Sequence, residues 1–208
     1  CVTEITADIA GCGDLDTIEV ESGNAVYTSR DGMLYRYAVY QDSYEDGNNI
    51  YRRYDNVLQA CPPAKELGYY TIDAETGMVL NDALHNCVNL TELTIPKTCK
   101  ISGIGNVVKG CTSLTGIVVP EGVTAIPKHA FQNLDALTSI TLPGTLEKIG
   151  NRAFRDADGL ATIVIPEGVT AIPKHAFRYV AALEEVILPE SLTSIGAYAF
   201  ETCTRLER

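Results

Sequence analysis

The chain has no tryptophan, four phenylalanines and two methionines, and aromatic residues fill only 7% of its 208 positions. Because 46% of the residues are nonetheless hydrophobic, the core has to be built from many small aliphatic side chains rather than a few large aromatic anchors. Basic residues are scarce as well: 16 Lys and Arg stand against 27 Asp and Glu, a formal net charge of −11. A field of that sign repels nucleic-acid phosphates and opposes docking on anionic membranes. No apolar run is long enough to span a bilayer, and no leader with a charged start and apolar middle opens the chain. The sequence reads as a mature or trimmed product, with membrane attachment expected only through a lipid on Cys1 or a cell-wall anchor outside this chain.

The groups that carry chemistry are also sparse. His85, His129 and His175 are scattered, and no Ser/His/Asp or Cys/His arrangement emerges. His129 and His175 hold the same place in units two apart, so their backbones should lie about 10 Å from each other with Arg152 between them, the wrong charge for a cation site. Glu184 and Glu185 are strand neighbours whose side chains point to opposite faces, which does not assemble a carboxylate pair. "GNVVKGCT" (105–112) approaches a phosphate-binding loop, but Cys111 stands where the lysine is required. "DSYEDG" (42–47) approaches a calcium loop, but Tyr44 and Arg53 occupy ligand positions. Asn89–Leu90–Thr91 is a glycosylation sequon with a frame leucine at its centre. The chain is expected to have no catalytic residues, metal or cofactor.

What the sequence does have is repetition. "PEGVTAIPKHAF" occurs at 120–131 and again at 166–177, a separation of 46 residues. Pro96, Pro120, Pro143, Pro166 and Pro189 are spaced 24, 23, 23 and 23, and the 23-residue period is kept by Ile126, Ile149, Ile172 and Ile195 and by Phe131, Phe154, Phe177 and Phe200. Leu90, Leu114, Leu137, Leu160, Leu183 and Leu206 complete the frame. One unit reads L-x-x-I-x-[LIV]-P-x-x-[VL]-x-x-I-x-x-x-A-F-x-x-[CLAV]-x-x. The near-alternation in "LTSITLP" predicts a short strand ended by proline. "VTAI" predicts a second extended stretch, and "PKHAF" a turn of α- or 3₁₀-helix that plugs its Phe inward. One unit cannot bury its apolar side alone, but stacked units form one core with parallel strands about 4.8 Å apart. Cys12, Cys87, Cys111 and Cys203 each sit three residues before a frame leucine, where Leu134, Ala157 and Val180 stand in other units. That slot is expected to be a small buried one, with cysteine as a compact hydrophobe. Cys1, Cys61 and Cys99 are read as outside this ladder, with a Cys61–Cys99 bridge as an alternative to free thiols.

These motifs, with their I-P, V-T-x-I, A-F and C-x-x-L series recurring over residues 78–208, resemble the BspA-like class of bacterial leucine-rich repeats. "VTEITADIAGCGDLDTIEV" fits a slightly shortened unit, and "KTCKISGIGNVVKGC" departs by one extra residue and lacks the A-F pair. The expected fold is an α/β-type repeat solenoid of parallel strands and short helical or 3₁₀ turns. It comprises an N-terminal unit (1–23), a Tyr-rich β-hairpin or three-stranded insertion (24–72) and a repeat solenoid (73–208) that ends within a unit. Nine of the eleven tyrosines fall in the insertion. The resemblance also covers its N-x-x-Y-x-S-x-D-G-x-L-Y segment, at Asn24, Tyr27, Ser29, Asp31–Gly32, Leu34 and Tyr35.

Two surfaces are candidates for recognition. On the strands, one row runs through Glu19, Thr94, Val118, Thr141, Val164 and Ile187, and a second through Thr17, Glu92, Gly116, Ser139, Thr162 and Glu185. Among these, Glu92, Thr94, Val118, Thr141, Val164, Glu185 and Ile187 are the candidate binding residues. β-branched residues suit any parallel strand, so their presence alone does not mark a site. The competing surface is the flap, with Tyr35, Tyr37, Tyr40, Tyr44, Tyr51 and Tyr54, because tyrosine joins a large apolar body to a polar tip. The family resemblance implies a non-enzymatic, cell-surface or secreted, adhesin-like module that recognises extracellular or host proteins. The alternatives are a stalk presenting another domain, or the accessory region of a larger enzyme.

Overall fold

The computed structural model describes residues 12, 14–22, 24, 27–30, 33–43, 49–62, 64–79, 82–97, 100, 101 and 107–207; for 37–43, 49–56, 100 and 101 it describes the backbone alone. The first strands among the described residues are three antiparallel ones, β1 (Tyr27–Arg30), β2 (Met33–Ser43) and β3 (Asn49–Ala60). Two strands per repeat follow. The first of each pair are β4 (Gly68–Thr71), β6 (Leu90–Thr94), β8 (Gly116–Val118), β10 (Ser139–Thr141), β12 (Thr162–Val164) and β14 (Glu185–Ile187). The second are two-residue strands: β5 (Met78–Val79), β7 (Lys100–Ile101), β9 (Ala125–Ile126), β11 (Lys148–Ile149), β13 (Ala171–Ile172) and β15 (Ser194–Ile195).

β4, β6, β8 and β10 form one parallel sheet, and β12 pairs parallel with β14 in the same frame. Register follows the repeat: Leu93 faces Ile117 and Ile117 faces Ile140, while Ile163 faces Val186. Leu93, Ile117, Ile140, Ile163 and Val186 point inward and the residues on either side of them on the strands outward, as the period of a strand requires. Leu90, Leu114, Leu137, Leu160 and Leu183 are fully buried three residues before those inward-pointing strand residues. Together these side chains form a single core that runs from Met33 to Ala199.

The third segment of the last four rungs departs from expectation. "PKHAF" (127–131 and 173–177) and its counterparts at 150–154 and 196–200 are neither α- nor 3₁₀-helix but a run of turns. His129 and Asn133, Arg152 and Asp156, His175 and Tyr179, and Tyr198 and Thr202 all have φ between 58° and 64°. A left-handed residue at every fourth position stops a right-handed helix from propagating. The amides released in this way bond along the stack: those of Phe131, Phe154 and Phe177 donate to the carbonyls of Ala153, Ala176 and Ala199 at 2.7, 2.9 and 2.8 Å. The expectation that Phe plugs inward is met. Phe131, Phe154, Phe177 and Phe200 stack at 5.3, 4.9 and 5.3 Å between ring centroids, a spacing set by the rung repeat.

The Tyr-rich segment is built into the stack. The end of β3 pairs parallel with β5, Val57 opposite Met78 and Leu58 opposite Val79, so β1–β2–β3 continue the sheet of β5 and β7. Met33, Leu34, Tyr35, Val57 and Leu58 lie in the core. Asn24 Oδ1 accepts from the Tyr27 amide at 2.9 Å, and Ser29 Oγ accepts from the Val20 amide at 3.0 Å. These contacts give the polar positions of the N-x-x-Y-x-S segment a structural purpose. β4 is already a rung of the long sheet, so regular stacking resumes before residue 73.

The cysteine ladder also needs correction at three points. Cys87 and Cys111 are fully buried, but Cys12 is exposed and Cys203 only half-buried. Cys61, read from sequence as outside the ladder, is a free, buried thiol one rung before Cys87, whose Sγ lies 4.0 Å from the Cys61 carbonyl oxygen. Cys99 lies outside the described residues. The Cys61 contact and burial push the Cys87 thiol well above its usual pKa, and burial pushes Cys111 up to about 12. At neutral pH a thiolate-selective alkylating reagent is therefore expected to label Cys12 quickly, and Cys87 and Cys111 only on unfolding. Peptide mapping after a short native exposure tests this; prompt labelling of Cys87 or Cys111 would refute their place in the core.

Candidate functional site

The register of the long sheet builds two outward columns. One runs Thr71–Thr94–Val118–Thr141 and continues in Val164–Ile187; the other runs Tyr69–Glu92–Gly116–Ser139 and continues in Thr162–Glu185. Glu92, Thr141 and Glu185 are exposed and Thr94 is half-buried. Val118, Val164 and Ile187 expose 44%, 57% and 51% of their surface, enough to form an apolar stripe along one column. Thr17 and Glu19 are exposed but belong to no strand.

Tyr69 and Thr71 are members of these columns that sequence reading missed. "YYTID" (69–73) aligns with "ELTIP" (92–96), a signal hidden by treating everything up to Ile72 as insertion. Tyr69 is 62% exposed. The Thr71 hydroxyl donates to the Tyr69 hydroxyl at 3.2 Å, and Thr94 Oγ1 lies 3.5 Å from it. These contacts, Thr71 first, hold its phenol below the usual tyrosine pKa. One column thus starts with an aromatic ring, Tyr69, held by its neighbours and ends on Glu185, and the column beside it passes from Thr71 through small polar and β-branched side chains to Ile187.

The flap residues do not form one surface with Tyr35. That side chain is 2% exposed, its hydroxyl lies 3.2 Å from the Tyr70 hydroxyl, and burial raises its pKa. Tyr35 belongs to the packing that anchors the insertion, which removes it from the candidate surface. Tyr37, Tyr40, Tyr51 and Tyr54 lie on β2 and β3, with Tyr40 opposite Arg52 and Tyr51 opposite Gln41. Tyr44 and most of the "DSYEDG" loop lie outside the described residues.

The histidines sit in three different settings. His85 Nδ1 is 3.9 Å from Asp82. His129 is exposed and bonds Gln132. His175 is buried and stacks on Tyr198 at 5.3 Å. Among the described residues no three His, Cys, Asp or Glu side chains come together as metal ligands. Cys111 of the near phosphate loop is in the core. In the sequon, Leu90 is buried and the Asn89 side-chain amide donates to the Ala64 carbonyl at 3.1 Å. What this geometry offers is a long, shallow, side-chain-patterned strand face suited to binding by contact.

Six copies of the BspA type leucine rich repeat region match residues 77–207. The fold is similar to that of a leucine-rich repeat protein from Bacteroides ovatus, at 25% identity and a TM-score of 0.60, over 69% of this chain and 37% of that one. It is also similar to the T. pallidum leucine-rich repeat protein, at 23% identity and a TM-score of 0.58, over 81% of this chain and 88% of that one. A leucine rich cell surface protein from Faecalibacterium prausnitzii matches at 21% identity and a TM-score of 0.59, over 90% of this chain and 55% of that one. Against curated protein sequences the chain has no match. Repeat period, stacked Phe column and parallel strand register converge with these likenesses: the chain belongs to the BspA-type leucine-rich repeat family.

Proposed function

We propose that the chain is a non-enzymatic, extracellular or cell-surface module that binds other proteins through its long strand face. The observation that carries this reading is the solvent-facing column Val118–Thr141–Val164–Ile187, where three large β-branched side chains stay exposed beside a fully formed core. Such a stripe leaves about half of each side chain in solvent and is the type of surface that drives association. Membership of the BspA-type family, together with the fold shared with a Faecalibacterium prausnitzii leucine rich cell surface protein, supports the location.

The test is capture of extracellular-matrix and plasma proteins on the immobilised chain, compared with two variants. Thr141→Lys/Val164→Lys changes only exposed positions and should abolish capture while the melting temperature stays within a few degrees. The second variant shortens the hairpin by joining Val39 to Arg53, which face each other in register, through an Asn-Gly turn. It removes Tyr40, Tyr44 and Tyr51 and keeps the buried base. Capture that survives the first variant and is lost with the second would move recognition to the tyrosine flap. Capture by none of the three proteins would favour a stalk that presents another domain.

A further inference from the structure

A different edge of the solenoid carries charge of the opposite sign to the whole. Segments 127–133, 150–156 and 173–179 contain Lys128, Arg152, Arg155, Lys174 and Arg178 with a single acid, Asp156, in a chain of net charge −11. Backbone bonds fasten these turns side by side: the His129 amide donates to the Asn151 carbonyl at 3.2 Å and the Arg152 amide to the Lys174 carbonyl at 3.3 Å. Two of the cations are occupied. Arg155 pairs with Asp156 at 3.1 Å and Arg178 with Glu201, and both guanidinium groups lie against the Tyr179 ring. Lys128, Arg152 and Lys174 make no ion pair among the described residues, and both lysines are exposed.

His175 registers the local field. Burial first, and then Lys174, Arg178 and Arg152, hold its pKa below the usual histidine value against the opposing pull of Glu201. The acids that dominate the total charge include a group at the corner between the two sheets, where Glu121 accepts from the Gly144 amide and Glu167 from the Glu190 amide.

We propose that this turn edge is a binding site for a linear acidic polysaccharide, with Lys128, Arg152 and Lys174 as its cationic contacts. Lys128 and Lys174 share one position two rungs apart, about 9.6 Å, with Asn151 between them and Arg152 one residue to the side, whereas same-side groups of an extended peptide recur at about 6.8 Å and fall out of step. Asn133 and Asn151 lie on the same turns, and their side-chain amides make no hydrogen bond among the described residues; they are neutral partners for sugar hydroxyls. The site is separate from the strand face, so variants of one leave the other intact.

Retention on immobilised heparin and hyaluronate at low salt tests the proposal, with immobilised polyglutamate and neutral dextran as comparison supports. The native chain is expected to bind the two acidic polysaccharides and to elute as salt rises. Lys128→Glu/Lys174→Glu should weaken that binding by about tenfold or more, whereas Lys97→Glu/Lys148→Glu, an equal change in net charge elsewhere, should leave it nearly unchanged. Absence of retention on both polysaccharides overturns the proposal, and so does equal loss in the two double variants. Equally tight binding to polyglutamate would make the partner an acidic peptide. Low-salt self-association that Lys128→Glu/Lys174→Glu abolishes, without polysaccharide retention, would make it the acidic corner of a second copy.

Discussion

Phe154→Ala is expected to lower stability by about 3–5 kcal/mol, the range for removing a fully buried aromatic side chain. Phe154 has no exposed surface and stacks between Phe131 and Phe177 at 5.3 and 4.9 Å. The turns that carry these rings are tied by the Phe131 to Ala153 and Phe154 to Ala176 bonds, so the cavity would open between rungs that cannot close on it independently. Phe200→Ala should cost distinctly less, because Phe200 is only partly buried and contacts one stacked ring, Phe177. Urea unfolding followed by circular dichroism measures both. A loss below about 1 kcal/mol for Phe154→Ala, or equal losses for the two variants, would show that the column does not bind the rungs together.

Gly150→Ala is the second large effect. A β-carbon at Gly150 would stand 2.4 Å from the Lys128 nitrogen and 2.5 and 2.7 Å from the Pro127 carbonyl carbon and oxygen. These are backbone atoms of the neighbouring rung and cannot rotate aside, so the rungs must separate or tilt, at a cost of about 1–3 kcal/mol. Gly196 meets Pro173 and Lys174 in the same way. Gly144→Ala is the control: its added carbon comes no nearer than 3.9 Å to Glu121 Oε1, and its effect should stay within about 0.5 kcal/mol. If thermal unfolding shows the two substitutions to be alike, the close approach at Gly150 is not a constraint.

The Gly150 contact also accounts for the duplicated twelve-mer. Pro127 and Pro173 begin the "PKHAF" turns, and Gly150 and Gly196 begin the turns stacked on them. Rungs starting with proline alternate with rungs starting with glycine, because glycine leaves room for the backbone beneath. The recurrence of the twelve-mer after 46 residues thus fits construction in pairs of rungs. Even so, identical residues met different surroundings. His129 is followed on the next rung by Arg152 and stays exposed, whereas His175 is followed by Tyr198, stacks on it and is buried.

The sequence by itself determined the 23-residue frame, the family, the buried leucines, the inward Phe column and the exposed strand rows. All of these follow from a constant rung length, which turns spacing along the chain into position on a face. Only the tertiary structure decided that β3 joins the sheet of β5, that Cys61 and Tyr69 fall back into frame, and that Tyr35 anchors rather than recognises. Those placements depend on backbone pairing between rungs, and backbone amides and carbonyls are alike in every residue but proline, so no side-chain period announces them. The same reason hid the nature of the A-F turn. Its residues look helical one unit at a time, yet their amides find partners on the neighbouring rung, and that neighbour exists only once the chain has folded.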